Sequence, residues 1–477
     1  MLNTIFVKHK RCRIHLAHLA LFALLALAVR CEQQEFASDT SATLYFSSDT
    51  LNFDTIFSSF GSTTFSCKVY NPSDKNLRFD EVLLQGRDAS PFRMNVDGRA
   101  GYSVSNVKLA RRDSLFIFIE VKKNKNLLLS DVILFMVNGT ELASRLEVVA
   151  YGQDAVMLDR DTALPDGYTF TADKPYILSG AVAVDSDATV AVAAGAKLYF
   201  GAKSGIAVSG TLKVEGTPEN PCIFSFPRYN DPWYSEATGQ WEGISIAASG
   251  RASVNGARIS GARHAFTVTD TLGLADSAQL TLKNSVVEYA DIGILSHSGK
   301  VNADNCLFAN HLSNAALVEG GSCNFYSCTF AASAYRGTLV VLQSYRLREK
   351  SRYRYDTTPA PLNAAHFAGC IIYGKNVNEL SVRELSGQAA PMLFKLESCM
   401  VKLGSSFDLS NGERYVNVTA QNPEFRNAGE NDFHLSEKSP AINAGQESIA
   451  RMYPIDADGY DRRISSDKSL GCYAYRP

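Results

Sequence analysis

A pattern of apolar and polar positions recurs six times between residues 252 and 401. Each copy has apolar or small residues five and three positions before a reference position, at that position, and two positions after it. The reference positions are Ala257, Ser285, Cys306, Cys328, Cys370 and Cys399, and the small residues directly before them are Gly256, Asn284, Asn305, Ser327, Gly369 and Ser398. Their spacings of 28, 21, 22, 42 and 29 residues indicate a repeat of about 21 residues with insertions, which is typical of a solenoid.

The spacing inside each copy predicts two strands joined at a corner. Positions two apart lie on one face of a strand, because side chains alternate between the faces. The three-residue step between the second and third positions breaks this alternation, so the chain must turn there. Gly, Asn and Ser tolerate the left-handed backbone conformation that such a bend requires. A third short run follows at 293–296, 315–319 and 338–344, which predicts a right-handed parallel β-helix with three strands per coil over residues 173–404.

The regions around this repeat differ in texture. A weaker copy around Gly195 places Ala191, Ala193, Ala196 and Leu198 inside the coil. Residues 40–152 contain short alternating runs separated by turn residues, which predict an antiparallel β-sandwich. We expect residues 153–172 to be a linker and residues 405–477 to be a C-terminal cap that covers the last open rung.

Composition excludes some functions. The chain has 477 residues and a net charge of −2, so it has no overall field that would attract nucleic acid. Eight cysteines follow Cys31, and most of them fit the repeat, which indicates buried thiols more than a disulfide framework. We expect no metal site and no cofactor, because the chain has neither a CxxC pair nor a Cys/His spacing of that kind.

The N-terminus predicts export. Lys8, Lys10, Arg11 and Arg13 precede an apolar run at about 16–29, which is typical of a signal peptide within residues 1–31. Cleavage after Ala28 would release a soluble periplasmic or secreted protein. Cleavage before Cys31 would instead produce a lipoprotein, although Arg30 fits a lipobox poorly. The residues leave both alternatives open.

Several motifs resemble those of a known group of proteins. They are the segments 54–57, 61–64, 69–72, 90–93 and 150–154 in the sandwich, 174–176, 195–200, 210–214 and 239–244 in the coil, and 439–445 with Asp458, Gly459 and Arg462 in the tail. Together they resemble uncharacterised exported lipoproteins of Gram-negative anaerobes, which combine a β-sandwich with a pectate-lyase-like β-helix. The resemblance implies lipidation at Cys31 and a position at the outer membrane or cell surface. It implies no particular activity, because the wider fold includes polysaccharide lyases and hydrolases as well as other proteins.

The outward carboxylates do not form a catalytic pattern. They are Glu288, Asp291, Asp304, Glu319 and Glu397, and only Asp304 and Glu397 share a phase of the repeat. A glycosidase needs two carboxyl groups about 5–10 Å apart, which no recurrent spacing here provides. We therefore expect a non-catalytic surface protein that binds glycan or another envelope component. The alternatives are a polysaccharide lyase or glycoside hydrolase acting on an acidic polysaccharide, and a structural scaffold for envelope assembly.

Two segments are candidate ligand-binding sites. The first contains Asp231, Trp233 and Tyr234, whose rings and carboxylate suit a sugar, whereas Trp241 nearby is expected to pack inside the coil. The second contains Arg346, Arg348, Arg352 and Arg354, interleaved with tyrosines, and it accounts for the 42-residue spacing as an insertion. Its charge suits an acidic polysaccharide or lipopolysaccharide. Nucleic acid fits that chemistry but does not fit an exported protein.

Overall fold

The computed structural model describes residues 36, 38–57, 64–122, 128–159, 161–228, 234–351, 354–385, 392–405 and 407–477. For 54–57, 348, 349, 351, 354 and 355 it describes the backbone only. The chain divides into two compact units between Gln153 and Asp154. We number the strands β1–β44 and the helices α1 and α2 in chain order.

The first unit is a β-sandwich, as predicted. One sheet has the order β1 (Tyr45–Phe46), β3 (Phe65–Tyr70), β8 (Ser114–Val121), β5 (Phe92–Val96), β6 (Arg99–Gly101). The other has the order β2 (Thr50–Phe57), β11 (Leu146–Gln153), β9 (Leu128–Val137), β4 (Leu77–Leu84), β7 (Ser103–Leu109), with β10 (Thr140–Glu141) paired to β9. Pairing is antiparallel except between β2 and β11, and a 3-10 turn spans Arg87–Ala89. Alternate residues such as Ile117, Ile119, Ile133 and Phe135 form the core between the sheets.

The second unit is a parallel β-helix built from three long sheets. Sheet I consists of β12 (Val156–Leu158), β15 (Tyr176–Leu178), β18 (Lys197–Phe200), β21 (Cys222–Ser225), β24 (Ala257–Ser260), β27 (Val286–Glu288), β30 (Leu307–Ala309), β33 (Thr329–Ala331), β38 (Ile371–Tyr373), β41 (Met400–Val401). Sheet II consists of β13 (Thr162–Ala163), β16 (Ala181–Val184), β19 (Gly205–Val208), β22 (Trp241–Ile246), β25 (Ala262–Thr269), β28 (Ile292–His297), β31 (Asn314–Glu319), β34 (Val340–Gln343), β39 (Leu380–Arg383). Sheet III consists of β14 (Thr169–Phe170), β17 (Thr189–Ala193), β20 (Thr211–Glu215), β23 (Arg251–Asn255), β26 (Leu280–Lys283), β29 (Lys300–Asp304), β32 (Gly321–Tyr326), β37 (Leu362–Ala368), β40 (Met392–Glu397), β42 (Tyr415–Val416).

The repeat in the sequence corresponds to the rungs of this coil, each of which contains one strand of every sheet. Within each copy, the first two positions lie on sheet III and the last lies on sheet I, while the reference position lies at the start of the sheet I strand or directly before it. All four positions are buried. The six small corner residues all have positive φ, between 46° at Asn284 and 68° at Gly369. The left-handed corner predicted from residue type is therefore confirmed.

The prediction for the upstream copy around Gly195 is confirmed for Ala196 and Leu198, which are buried, and is wrong by one position for Ala191 and Ala193. Val190 and Val192 are buried on β17, whereas Ala191 and Ala193 are only half-buried. The Ala196 N–H donates to the Ala193 carbonyl at 3.0 Å, which closes a turn one residue longer than in the later rungs. The expected linker at 153–172 also differs from the structure, because β12, β13 and β14 within it pair with the next rung.

The cysteines lie inside the protein as free thiols. All eight cysteines of the described residues are buried, and none of them forms a disulfide. Cys306, Cys328, Cys370 and Cys399 each directly precede a strand of sheet I, and burial raises the pKa of the last three thiols well above the usual value. They act as small apolar residues of the core, in agreement with the prediction.

The C-terminal segment does more than cover the last rung. Its first part adds β42 and a bridge from Thr419 to Met400, which complete a partial rung. The rest folds back along the outer face of sheet I with β43 (Phe425–Asn427), a 3-10 turn (Ala428–Glu430), β44 (Asp432–Leu435), α1 (Glu447–Met452), α2 (Arg462–Ser465). Outward residues of sheet I such as Val286, Leu307 and Ile371 are apolar, so this face must be covered.

An insertion after β34 forms a separate hairpin. Strands β35 (Tyr345–Ser351) and β36 (Arg354–Pro359) pair antiparallel with each other, between a strand of sheet II and the next strand of sheet III. This hairpin accounts for the 42-residue spacing between Cys328 and Cys370.

Candidate ligand-binding face

The outer face of sheet III, unlike that of sheet I, is polar. Two in-register columns of outward residues define what we call the polar wall. The middle column is Lys213, Ser253, Thr281, Asn302, Asn324, His366, Lys395, and the edge column is Glu215, Asn255, Lys283, Asp304, Tyr326, Ala368, Glu397. Every residue of the middle column is exposed or half-buried.

Strand alternation produces this wall. On β32, for example, Cys323 and Phe325 are fully buried while Asn324 and Tyr326 between and after them face outward and are half-buried. Neighbouring rungs lie about 4.8 Å apart, so side chains of one column can bond directly to each other. The Asn324 amide donates to the Asn302 side-chain carbonyl at 2.9 Å. The wall is therefore a fixed array of polar groups with a short, regular repeat.

One end of the wall carries a charged cluster. The Glu397 carboxylate accepts from the Gln446 amide at 3.0 Å and from the Lys395 ammonium at 2.9 Å. His366 Nε2 lies 3.1 Å from the same carboxylate, and His366 Nδ1 lies 3.4 Å from the Tyr326 hydroxyl. The hydrogen bond from Gln446, followed by that from Lys395, lowers the pKa of Glu397 to about 2. This carboxylate is ionised at any physiological pH.

A pair of tyrosines forms the rim of the wall. The ring of Tyr453, which follows α1, stacks on Tyr326 with 4.9 Å between centroids. The corner residue Asn305 holds this segment in place, because its amide donates to the carbonyls of Tyr453 at 3.1 Å and Ile455 at 2.6 Å. Burial, followed by the neighbouring Tyr326, raises the pKa of Tyr453 to about 12, so its hydroxyl stays protonated.

The carboxylates of the wall are too far apart to act as a glycosidase pair. Asp304 and Glu397 occupy one column, as predicted, but three strand steps separate them, a distance of about 14 Å at the usual strand spacing. Burial raises the pKa of Asp304 to about 6, while Lys283 at 4.0 Å opposes the shift. Hydrolysis with inversion needs carboxyl groups no more than about 9.5 Å apart.

Two other outward carboxylates lie on sheets I and II. Glu319 on sheet II lies 2.6 Å from His297 Nδ1 and accepts from the Gln343 amide at 3.1 Å. Burial raises the pKa of Glu288 on sheet I, where the charge of Arg258 opposes the shift. Within the ranges that the structure describes, no three His, Cys, Asp or Glu side chains are grouped so that they could hold a metal ion.

The first predicted site lies at a different corner of the coil. Tyr234, 37% exposed, is in the loop between β21 and β22, and the Arg228 guanidinium lies 5.5 Å from its ring centroid. Asp231 and Trp233 lie outside the described residues. Trp241 packs as expected: it is buried, stacks on Phe200 at 4.1 Å and donates to the Ser260 carbonyl at 2.9 Å.

The second predicted site is the inserted hairpin. Arg346 is half-buried and pairs with Thr358, while the backbone of Arg348 pairs with Asp356. The Lys350 ammonium lies 3.0 Å from the Asp356 carboxylate. Arg352 lies outside the described residues, as do the side chains of Arg348 and Arg354, so the basic cluster stays a prediction.

Sequence reasoning missed the polar wall as a site. The signal was present, because the two outward offsets of the repeat are polar in nearly every copy, for example Asn302 with Asp304 and Lys395 with Glu397. Tyr453 and Gln446 could not be found in this way, since they reach the wall from a segment outside the repeat.

The similarity of this chain to known proteins is weak. No protein-family profile and no curated protein matches the chain. Among similar solved structures, WR4, an MSP family member of C. elegans, is 10% identical over 23% of this chain and 98% of that chain, with a TM-score of 0.17. An ASH/PapD-like domain of human CEP192 is 8% identical over 26% and 96%, with a TM-score of 0.18. A family 123 glycoside hydrolase from Clostridium perfringens is 7% identical over 26% of this chain and 30% of that chain, with a TM-score of 0.19. At such TM-scores these likenesses carry no argument about function.

No helix among the described residues is both long and apolar enough to cross a bilayer.

Proposed function

We propose that this protein is a non-catalytic binding module that holds a glycan chain along the polar wall. The observation that carries the proposal is the stacked Tyr326–Tyr453 pair beside an in-register column that includes Asn302, Asn324 and His366. Aromatic faces contact the apolar faces of sugars, and amide and imidazole groups bond to hydroxyl groups. A linear polymer that runs along the coil can meet a new polar group about every 4.8 Å.

Catalysis is the less favoured function. The separation of Asp304 from Glu397 argues against hydrolysis by a carboxyl pair in this column, as described above. The alternative of a polysaccharide lyase or hydrolase acting on an acidic polysaccharide is tested by release of reducing ends or unsaturated uronides. Turnover that is abolished by changing one or two carboxylates would replace the binding proposal.

The test of binding is affinity measurement on a panel of neutral and acidic polysaccharides, with the full chain and matched variants. We expect Asn324→Ala and Tyr453→Ala each to weaken binding about tenfold, since each removes a contact worth about 1–1.5 kcal/mol. Ser381→Ala, an outward polar residue on sheet II, is the control and should bind like the original protein. Equal affinity of all variants for the polysaccharide would rule out the polar wall as the binding site. Protein partners in a pull-down, without glycan affinity, would favour an envelope-assembly scaffold.

We also propose that the module is exported and attached to the outer membrane or cell surface by a lipid on Cys31. The support is the N-terminal sequence, since residue 31 lies outside the described residues. Cys31→Ala should move the protein from the membrane fraction to the soluble fraction. Cleavage after Ala28 predicts a soluble protein with or without this change, so the two alternatives are distinguished.

The hairpin is a second candidate binding element. Its charge favours an acidic polysaccharide or lipopolysaccharide, and in the chain it directly precedes β37, one of the strands that carry the polar wall. If it binds such a polymer, removing 345–359 should weaken binding to lipopolysaccharide and reduce its salt dependence.

A further inference from the structure

A separate cavity lies on the C-terminal segment between α1 and α2. Its volume is about 470 Å³, and its lining includes Arg451, Arg462, Arg463, Lys468, Glu447 and Asp467. Four cations thus face two carboxylates around one opening. None of these side chains belongs to the polar wall.

Both carboxylates already have partners. Glu447 pairs with Arg451 at 2.5 Å on the exposed side of α1. Asp467 pairs with the buried Arg462 at 2.9 Å and also accepts from the Ser469 hydroxyl. Arg463 pairs with Asp461 outside the lining at 2.6 Å. Among the described residues, no carboxylate lies within 4.0 Å of the Lys468 ammonium.

Arg462 adds a buried charge behind this opening. Its side chain is 1% exposed, donates to the carbonyls of Ser469 at 3.0 Å and Gly471 at 2.7 Å, and has an Nε–H with no hydrogen-bond partner. The Asp467 carboxylate at 2.9 Å offsets most of this charge, because the two groups form a close buried pair. The positive excess at the concave surface therefore comes from the Lys468 ammonium.

We propose that this cavity binds a small organic oxyanion, namely a carboxylate, sulfate or phosphate group on a body the size of a monosaccharide. The charge selects the anionic group, with Lys468 and Arg451 as its contacts. The cavity volume favours a ligand with an organic part of about monosaccharide size. A water molecule occupies only about 30 Å³ in the liquid, so a bare inorganic oxyanion would leave most of the cavity empty. Pockets for small organic ligands commonly measure about 300–1,000 Å³.

Helix α1 connects this cavity to the polar wall. Gln446, directly before α1, and Tyr453, directly after it, contact the wall, whereas Ala450 and Arg451 line the cavity. The cavity and the polar wall use different side chains, so binding at one site can be lost by substitution while binding at the other is kept. Occupation of the cavity should nevertheless order α1 and support the rim.

The test is calorimetric titration of the full chain with glucuronate, glucose 6-sulfate and glucose 6-phosphate, with glucose as the neutral comparison. We expect at least one anionic sugar to bind and glucose not to bind. Lys468→Gln and Arg451→Gln should each weaken binding about tenfold or more, because each removes a charge-assisted hydrogen bond to the anion. Lys438→Gln, an exposed lysine of the same segment, is the control.

Three outcomes of the titration would overturn the proposal: equal binding of glucose, undiminished binding by Lys468→Gln and Arg451→Gln, or equal binding of inorganic sulfate alone. Hydrogen exchange of the original protein provides a second readout that needs no variant. Amides of residues 447–468 should gain protection when the anionic sugar is added, and unchanged exchange would also overturn the proposal. Binding of polysaccharide to the wall is measured separately with Tyr453→Ala.

Discussion

The outer faces of sheets I and III come from the same rungs and have opposite character. On sheet I the outward residues Val286, Leu307 and Ile371 are apolar, and Phe433, Leu435 and Leu470 of the C-terminal segment cover them. On sheet III the corresponding outward residues are polar, and most of the face stays open. The fold of the coil alone therefore does not determine the function. The outward residues determine which face is covered by the C-terminal segment and which face is available to a ligand.

The largest effect should come from opening the covered face. Phe433 is 2% exposed and packs against Val286 and Leu307, so Phe433→Ala should lower the free energy of unfolding by about 3–5 kcal/mol. Urea unfolding measures the loss, and binding of a hydrophobic dye reports the exposed face of sheet I.

The matched change on the open face is Asn324→Ala. It removes one hydrogen bond from a half-buried side chain and should cost about 1 kcal/mol or less. Equal costs for the two variants would mean that the outer faces do not differ in the way described.

The corner between the two faces offers a second contrast. An ideal Cβ at Gly256 would lie 2.4 Å from the Gly216 carbonyl carbon, whereas at Gly369 the nearest atom would be 3.5 Å away. Both residues have positive φ. Gly369→Ala should therefore cost about 1–2 kcal/mol for backbone strain alone, and Gly256→Ala about 3 kcal/mol or more. Thermal and urea unfolding of both variants would test this, and equal costs would contradict the packing at Gly256.

Asp304 on the wall should make stability depend on pH. Its folded pKa of about 6 lies above the unfolded value of about 3.9, so the folded state binds more protons between these values. The contribution of Asp304 to stability is then most favourable below pH 4, falls as pH rises to about 6, and stays reduced above that. Asp304→Asn should stabilise the protein by about 1–3 kcal/mol at pH 8 and by almost nothing at pH 4.

Glu397 in the same column should show the opposite sign. Its pKa of about 2 lies below the unfolded value, so its contribution is present at neutral pH and is lost as pH falls from about 4 to about 2. Glu397→Gln should therefore destabilise the protein at pH 7 and have little effect at pH 2. Unfolding curves of both variants across pH 2–8 would check this, and slopes of the same sign would contradict the assignments.

The periodic features of the coil could be predicted from the sequence, whereas the features that do not repeat could not. Corners such as Asn305 and Ser327 follow from residue type and spacing, because a coil repeats the same backbone requirement on every rung. The sequence predicts a linker in place of the first rung at 156–170, because strands of two or three residues leave too little alternation to detect. The path of the C-terminal segment depends on contacts far apart in sequence, such as Asn305 with Tyr453, and no local pattern encodes them.

The smallest effect should follow from removing the inserted hairpin. In the described part of the chain, β35 and β36 pair only with each other, and the Ala360 N–H already donates to the Ser344 carbonyl at 2.9 Å across the base. Replacing 345–359 with a short Gly-rich turn should therefore change the free energy of unfolding by about 1 kcal/mol or less, since neither sheet loses a strand. The Gln343 amide would lose the Tyr345 carbonyl at 3.0 Å and keep Glu319. Urea unfolding checks the prediction, and a loss of several kcal/mol would show that the hairpin helps to hold the coil.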